Sequence, residues 1–180
     1  MSDAVLRHPV LPVVYDTARW SGRVLNALDH LVMMLLLVAV GTMVGVVSAQ
    51  VLLRYGFNLS IDWADEISRL AFVWSIFLAI PLGVRQGAHI GIDIVVNKLP
   101  LPVQGGLRRM AAALSAAMML AIAWASWGVA SEQWDELMAT LDWSVGWFIA
   151  PVGVGALLSG LHLVRIAIQG PPHAVAGGAE

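Results

Sequence analysis

The sequence predicts an all-α integral membrane protein with four transmembrane helices and both termini on the cytoplasmic side (N-in/C-in). Three observations carry this. First, 59% of its 180 residues are hydrophobic against 12% charged, with a mean hydropathy of +0.79, which is far too apolar for a soluble domain of this size. Second, long uncharged runs alternate with short charged segments. Third, Lys and Arg gather in the segments that a four-span topology places on one side, as the positive-inside rule requires.

The spans follow from length, because a helix rises ~1.5 Å per residue against a hydrocarbon core of ~30 Å. About 20 residues are needed. After an N-terminal cytoplasmic segment, 1–27, the first span covers about 28–53 and contains the uncharged run Leu31 to Leu53. Val47-Ser48-Ala49 loosely resembles a signal-peptidase site, but the apolar run is much longer than a signal core of about 7–15 residues, so the helix is expected to stay uncleaved. It ends at Arg54-Tyr55-Gly56-Phe57-Asn58, a charge and an interface aromatic followed by turn residues.

The second span, about 63–84, is the least hydrophobic. Its uncharged part, Leu70 to Val84, would cover only ~22 Å, so the helix must begin near Trp63 and take in Asp65, Glu66 and Arg69. Helical spacing puts Arg69 on one face with both acids, where pairing lowers the cost of membrane entry. The expected role of these charges is a structural pair, within the chain or with a partner subunit. Pro81 is expected to free the carbonyl of Phe77 and kink the helix.

The connection that follows, 85–109, holds Arg85-Gln86-Gly87-Ala88-His89-Ile90-Gly91-Ile92-Asp93. One His and one Asp do not make a metal site, and no nucleophile stands beside them. Asp93 instead suits the N-cap of a short interfacial helix from Ile94 to Leu99 that Pro100 stops. Spans three and four cover about 108–131 and 142–166, completing a four-helix domain over 28–169, and a flexible cytoplasmic tail covers 170–180. Small residues suited to close helix contact recur at Gly41 and Gly45, at Ala156 and Gly160, and along Ala111 to Ala117.

Orientation rests on Arg7, Arg19, Arg23, Arg85, Lys98, Arg108, Arg109 and Arg165 on one side, with Arg54 alone opposite. The segment from Glu132 to Asp142 carries four acids and no base. Trp63, Trp127, Trp134 and Trp143 lie near the same outer boundary.

Several functions are excluded. The net charge of −2 shows no basic surplus for nucleic acid, and the absence of cysteine removes disulfides, thiolate metal sites and cysteine nucleophiles. No catalytic residue, cofactor or metal is expected, and the chain is not expected to be an enzyme. Two other classes remain open: a self-sufficient small transporter or channel using Glu66 as ion ligand, and a haem-binding membrane anchor using His30 and His162. Both histidines are better read as interface residues.

Arg54-Tyr55-Gly56-Phe57-Asn58, Trp63 with Glu66 and Arg69, Val73-Trp74, and His89-Ile90-Gly91-Ile92-Asp93 before Leu99-Pro100 occur in an order and spacing that resembles a known family. It is the small membrane subunit of tripartite ATP-independent periplasmic (TRAP) transporters, the DctQ-like family, and the resemblance runs from Leu28 to Arg165. It implies a non-catalytic subunit in the bacterial cytoplasmic (inner) membrane, bound to a large multi-span transport subunit that receives solute from a periplasmic solute-binding protein. Import would be symport with an ion gradient, usually sodium, of an organic acid such as a dicarboxylate. Solute and ion sites would lie on the large subunit. Arg54, Tyr55, Trp63, Asp65, Glu66, Arg69, His89, Gly91 and Asp93 are then the candidate partner-interface or structural residues.

The chain's lack of cysteine allows a clean topology test. Single cysteines at Ser60 and Gln104 should label from opposite sides of the membrane; a three-span chain would label both from one side.

Overall fold

The computed structural model describes residues 20–85 and 101–169. The N-terminal segment up to residue 19, the C-terminal tail, the interfacial helix expected at 94–99, and His89, Gly91 and Asp93 lie outside these residues. Four helices account for nearly all of what is described: α1 (Trp20–Phe57), α2 (Ala64–Arg85), α3 (Leu101–Glu132) and α4 (Gly146–Gln169). All four are long and apolar enough to cross a membrane. The only strand-like pairing among the described residues is an isolated bridge between Leu137 and Ser144.

The helix bounds differ from the expected spans, each for a local reason. At 38 residues α1 begins eight residues before its span, since no proline separates Trp20 from the apolar run and Gly22 alone does not stop the helix. Helix α3 starts directly after Pro100, with Pro102 tolerated in the first turn, so Arg108 and Arg109 lie inside the helix. Helix α4 starts at Gly146 because Trp143 and Val145 are held in the preceding loop, and it carries Arg165 within its length.

The helices stand in a row. Helix α1 packs on α2, α2 on α4, and α4 on α3; among the described residues α1 and α2 make no close backbone approach to α3. Burial follows this order: within an apolar 18-residue stretch of each helix, 39% of α4 and 33% of α2 is buried, against 17% for α3 and 6% for α1. Along α1 the less exposed positions Val32, Leu36, Ala39, Met43, Val46 and Gln50 recur at alternating spacings of three and four, a single narrow seam. The rest of its surface is open and apolar.

The centre of the row is built around two prolines. Pro81 in α2 and Pro151 in α4 are both fully buried, and each leaves the carbonyl four residues earlier without an N–H in its own helix. The freed Trp147 carbonyl accepts from the indole Nε1–H of Trp74 at 3.2 Å. The freed Phe77 carbonyl faces Gly155, where a Cβ would run into that oxygen. A Cα–H of Gly155 therefore points at a carbonyl that water does not reach.

Small residues also bring α3 and α4 together. A Cβ on Gly160 would sit 3.0 Å from Leu120 Cδ2, and Ala112, Ala116 and Ala156 are buried. The Ala156/Gly160 motif is thus used within the chain. The Gly41/Gly45 motif is not, since nothing lies within 4 Å of a Cβ at either position.

At the end where α1 starts and α4 finishes, His162 Nε2 lies 3.0 Å from Asp29 Oδ1, with both residues buried. This side-chain bridge joins α1 to α4 across helices whose backbones stay apart. It corrects the reading of His162 as an interface residue. His30 is exposed, its Nδ1 2.8 Å from the Asn26 carbonyl oxygen, so the two histidines are not brought together as haem ligands.

Gly155→Ala is expected to lower stability by about 1–3 kcal/mol, the usual cost of overpacking, and so depress the melting temperature of the detergent-purified protein by several degrees. Gly41→Ala should leave it unchanged.

Candidate functional site at the loop end

The sequence-derived candidates cluster where α1 ends and α2 begins. Asn58 adopts φ 52° and turns the chain, while Leu59 N–H donates to the Leu53 carbonyl at 3.1 Å and closes the helix end. Arg54 in the last turn suits the negative end of the α1 dipole. Tyr55 is 81% exposed and Trp63 about half exposed. After a short connection, Ala64 N–H bonds to the Ile61 carbonyl at 3.2 Å and α2 begins.

The three charges expected to act together divide into two arrangements. Asp65 pairs with Arg69 one turn on, Oδ2 to Nη2 2.9 Å apart, with both side chains largely exposed. Glu66 faces the other way, towards the loop between α3 and α4. Its carboxylate accepts from Ala139 N–H at 2.8 Å, from Thr140 N–H at 3.1 Å, and from the Thr140 hydroxyl at 2.6 Å. Both acids lie in the first turn of α2, where the helix dipole favours negative charge.

The loop that Glu66 holds is itself ordered. Met138 N–H donates to the Trp143 carbonyl and Val145 N–H to the Glu136 carbonyl, each at 2.8 Å, forming a small hairpin with Met138 buried beneath it. Ser144 Oγ accepts from Gly146 N–H at 3.0 Å and caps α4. Gly146 lies so close to the Trp134 ring that a Cβ would approach it to 2.8 Å. Trp134, Trp147 and Trp74 then form a chain of tilted rings, with centroids 6.0 and 6.4 Å apart.

Chemically, this arrangement is a clamp. A carboxylate whose oxygens take three donors from one loop fixes that loop against α2, which makes Glu66 a tertiary fastener. Among the described residues no group of three or more His, Asp or Glu side chains is placed to hold a metal ion. Sequence reasoning missed Ala139 and Thr140, since nothing marks a backbone N–H as a ligand. It also gave Trp74 no role, although the pairing of Pro151 with an indole donor on another helix was the available signal.

Glu66→Gln should weaken these bonds by removing the charge, so protection of the Ala139 and Thr140 amides in hydrogen exchange should fall by roughly two- to fivefold, the size of an exposed charged contact. Asp65→Asn should leave that protection intact.

Comparison with known proteins places this geometry in context. A family profile described as "Tripartite ATP-independent periplasmic transporters, DctQ component" matches residues 43–170, which includes the α1–α2 connection, the Glu66 clamp and the α2–α4 contact. The chain is 30% identical over 116 residues to the C4-dicarboxylate TRAP transporter small permease protein DctQ of Vibrio cholerae, covering 64% of this chain and 48% of that one. It is 34% identical over 100 residues to the protein of the same name from Pseudomonas aeruginosa, covering 51% and 47%. A third relative, the sialic acid TRAP transporter permease protein SiaT of Haemophilus influenzae, is 36% identical over 56 residues, which are 31% of this chain and 9% of that protein. The chain spans about half the length, or less, of the small permease proteins it matches. With the family profile matching most of its length on a four-helix membrane fold, this chain belongs to the DctQ component family of the tripartite ATP-independent periplasmic transporters.

Proposed function

We propose that the chain is the small, non-catalytic membrane subunit of a TRAP-type secondary transporter in the bacterial inner membrane, with both termini cytoplasmic and the loop end periplasmic. Its role is to scaffold a large multi-span permease subunit. That subunit imports an organic acid delivered by a periplasmic solute-binding protein, by symport with an ion such as sodium. Two relatives are named for C4-dicarboxylate and one for sialic acid, which fits a solute site that lies outside this subunit.

The observation that carries this reading is the open row of helices. Helix α1 has one narrow packing seam and α3 one neighbour, so both flanks keep broad apolar faces for lipid and a protein partner. A self-sufficient channel would instead enclose a polar path between its spans. The engagement of Glu66 by three loop donors also argues against its use as an ion ligand. The exposed Asp65–Arg69 pair remains the charged feature of α2 best placed to meet a partner.

Proteoliposomes containing this chain and its large permease subunit, supplied with the binding protein, should take up solute. Liposomes with this chain alone should not, and uptake by them would overturn the scaffold reading. Arg69→Met should reduce co-purification with the large subunit without loss of helix content.

A further inference from the structure

A groove of about 830 Å³ runs along one side of the α3–α4 contact, within the ~300–1,000 Å³ typical of ligand pockets. Its floor is made of small residues, among them Ala123 and Ala130 from α3 and Ala150 and Gly153 from α4. Trp124 and Trp127 also line it and are 83% and 78% exposed. Its two hydroxyls donate to their own helix, Ser126 to the Ile122 carbonyl at 2.8 Å and Ser131 to the Gly128 carbonyl at 2.7 Å. The groove therefore asks for an apolar occupant.

Depth and charge narrow the choice of occupant. The groove stops at Leu120 and Leu157, and Leu120 packs against Gly160 just below. From Leu120 to the end of α3 is about 18 Å of helix, close to the ~15 Å of a single leaflet. A transmembrane helix of another protein would need a seam through both leaflets, whereas an acyl chain needs only one. At the mouth stands Asp135, in a segment, 132–142, that has four acids and no Lys or Arg. A lipid presenting only negative charge is disfavoured there, and one with an ammonium group is favoured.

We infer that this groove is a phospholipid site: one acyl chain from the leaflet at the loop end lies along Ala123 and Gly153, beside Trp124 and Trp127, with an ammonium headgroup at Asp135. The site stands on the α3–α4 geometry and holds whether or not the scaffold reading does.

The test uses the full chain in nanodiscs with brominated acyl chains, which quench nearby tryptophan. Brominated phosphatidylethanolamine and brominated phosphatidylglycerol are compared at equal mole fraction, and the contribution of the groove tryptophans is isolated by difference with Trp124→Phe/Trp127→Phe. Quenching of this pair should favour the ethanolamine lipid by roughly two- to fivefold in apparent affinity, the size of one exposed ion pair. Ala123→Leu should abolish the excess by filling the floor. Asp135→Asn, a surface change that leaves packing alone, should remove the headgroup preference while quenching persists. Equal quenching by both lipids that Ala123→Leu does not alter means bulk lipid only and overturns the site. So does a photo-crosslinker at Trp127 that, in the complex isolated from its native membrane, captures a polypeptide instead of lipid.

Discussion

Two backbone carbonyls hold the centre of this protein together. Deep in a bilayer, as at Phe77, a carbonyl that proline deprives of its helical partner has no water to turn to, and leaving it unsatisfied costs several kcal/mol; Trp147, in the first turn of α4, lies nearer the loop end. Here the two such carbonyls sit on facing helices, and each is answered from across the contact: Trp147 by the Trp74 indole, and Phe77 by the bare Cα of Gly155. The arrangement makes α2 and α4 mutually dependent. It also dictates side chains, because Gly155 must lack a Cβ and Trp74 must offer a donor.

The remaining contacts attach to this centre. Helix α3 joins through α4 by way of small residues, and α1 joins through α2 along one seam. Two polar fasteners limit rotation about these contacts, at opposite ends of the molecule. Glu66 binds the α3–α4 loop to the start of α2, and the Asp29–His162 bridge ties α1 to α4. The buried Asp29–His162 bridge sits where such a bond is strong when made and costly when broken, and the Glu66 carboxylate gathers three donors at once, so the two specify one arrangement among the many that apolar packing alone would tolerate. A fixed centre with unpacked flanks fits the proposed role of a subunit held against a larger neighbour.

What the sequence made legible followed from the bilayer. The lengths of the uncharged runs locate three of the four helices, and Pro81 marks the freed Phe77 carbonyl. The shortfall of the second span pointed to Asp65, Glu66 and Arg69. The partition of those three was not readable, because helical spacing allows Arg69 either acid, and the donors that claim Glu66 lie more than 70 residues away in the chain. The bridge from Asp29 to His162 was hidden for a similar reason. Both lie near span ends, where a snorkelling side chain and a buried pair look alike in sequence. Equivalent small-residue motifs also had different fates: Ala156 and Gly160 pack on α3, while Gly41 and Gly45 face outwards, a distinction set by helix order.

That helix order is the central claim, and the cysteine-free chain allows it to be measured directly. Disulfide crosslinking of cysteine pairs in native membranes, analysed within single chains, reports which helices are neighbours. Leu120→Cys with Gly160→Cys is expected to crosslink readily, since these positions already touch. Val44→Cys with Met118→Cys, at similar distances from the loop end of α1 and α3, is expected to remain reduced. Efficient crosslinking of that second pair within one chain would mean that the helices close into a four-helix bundle, and would contradict the open row around α2 and α4.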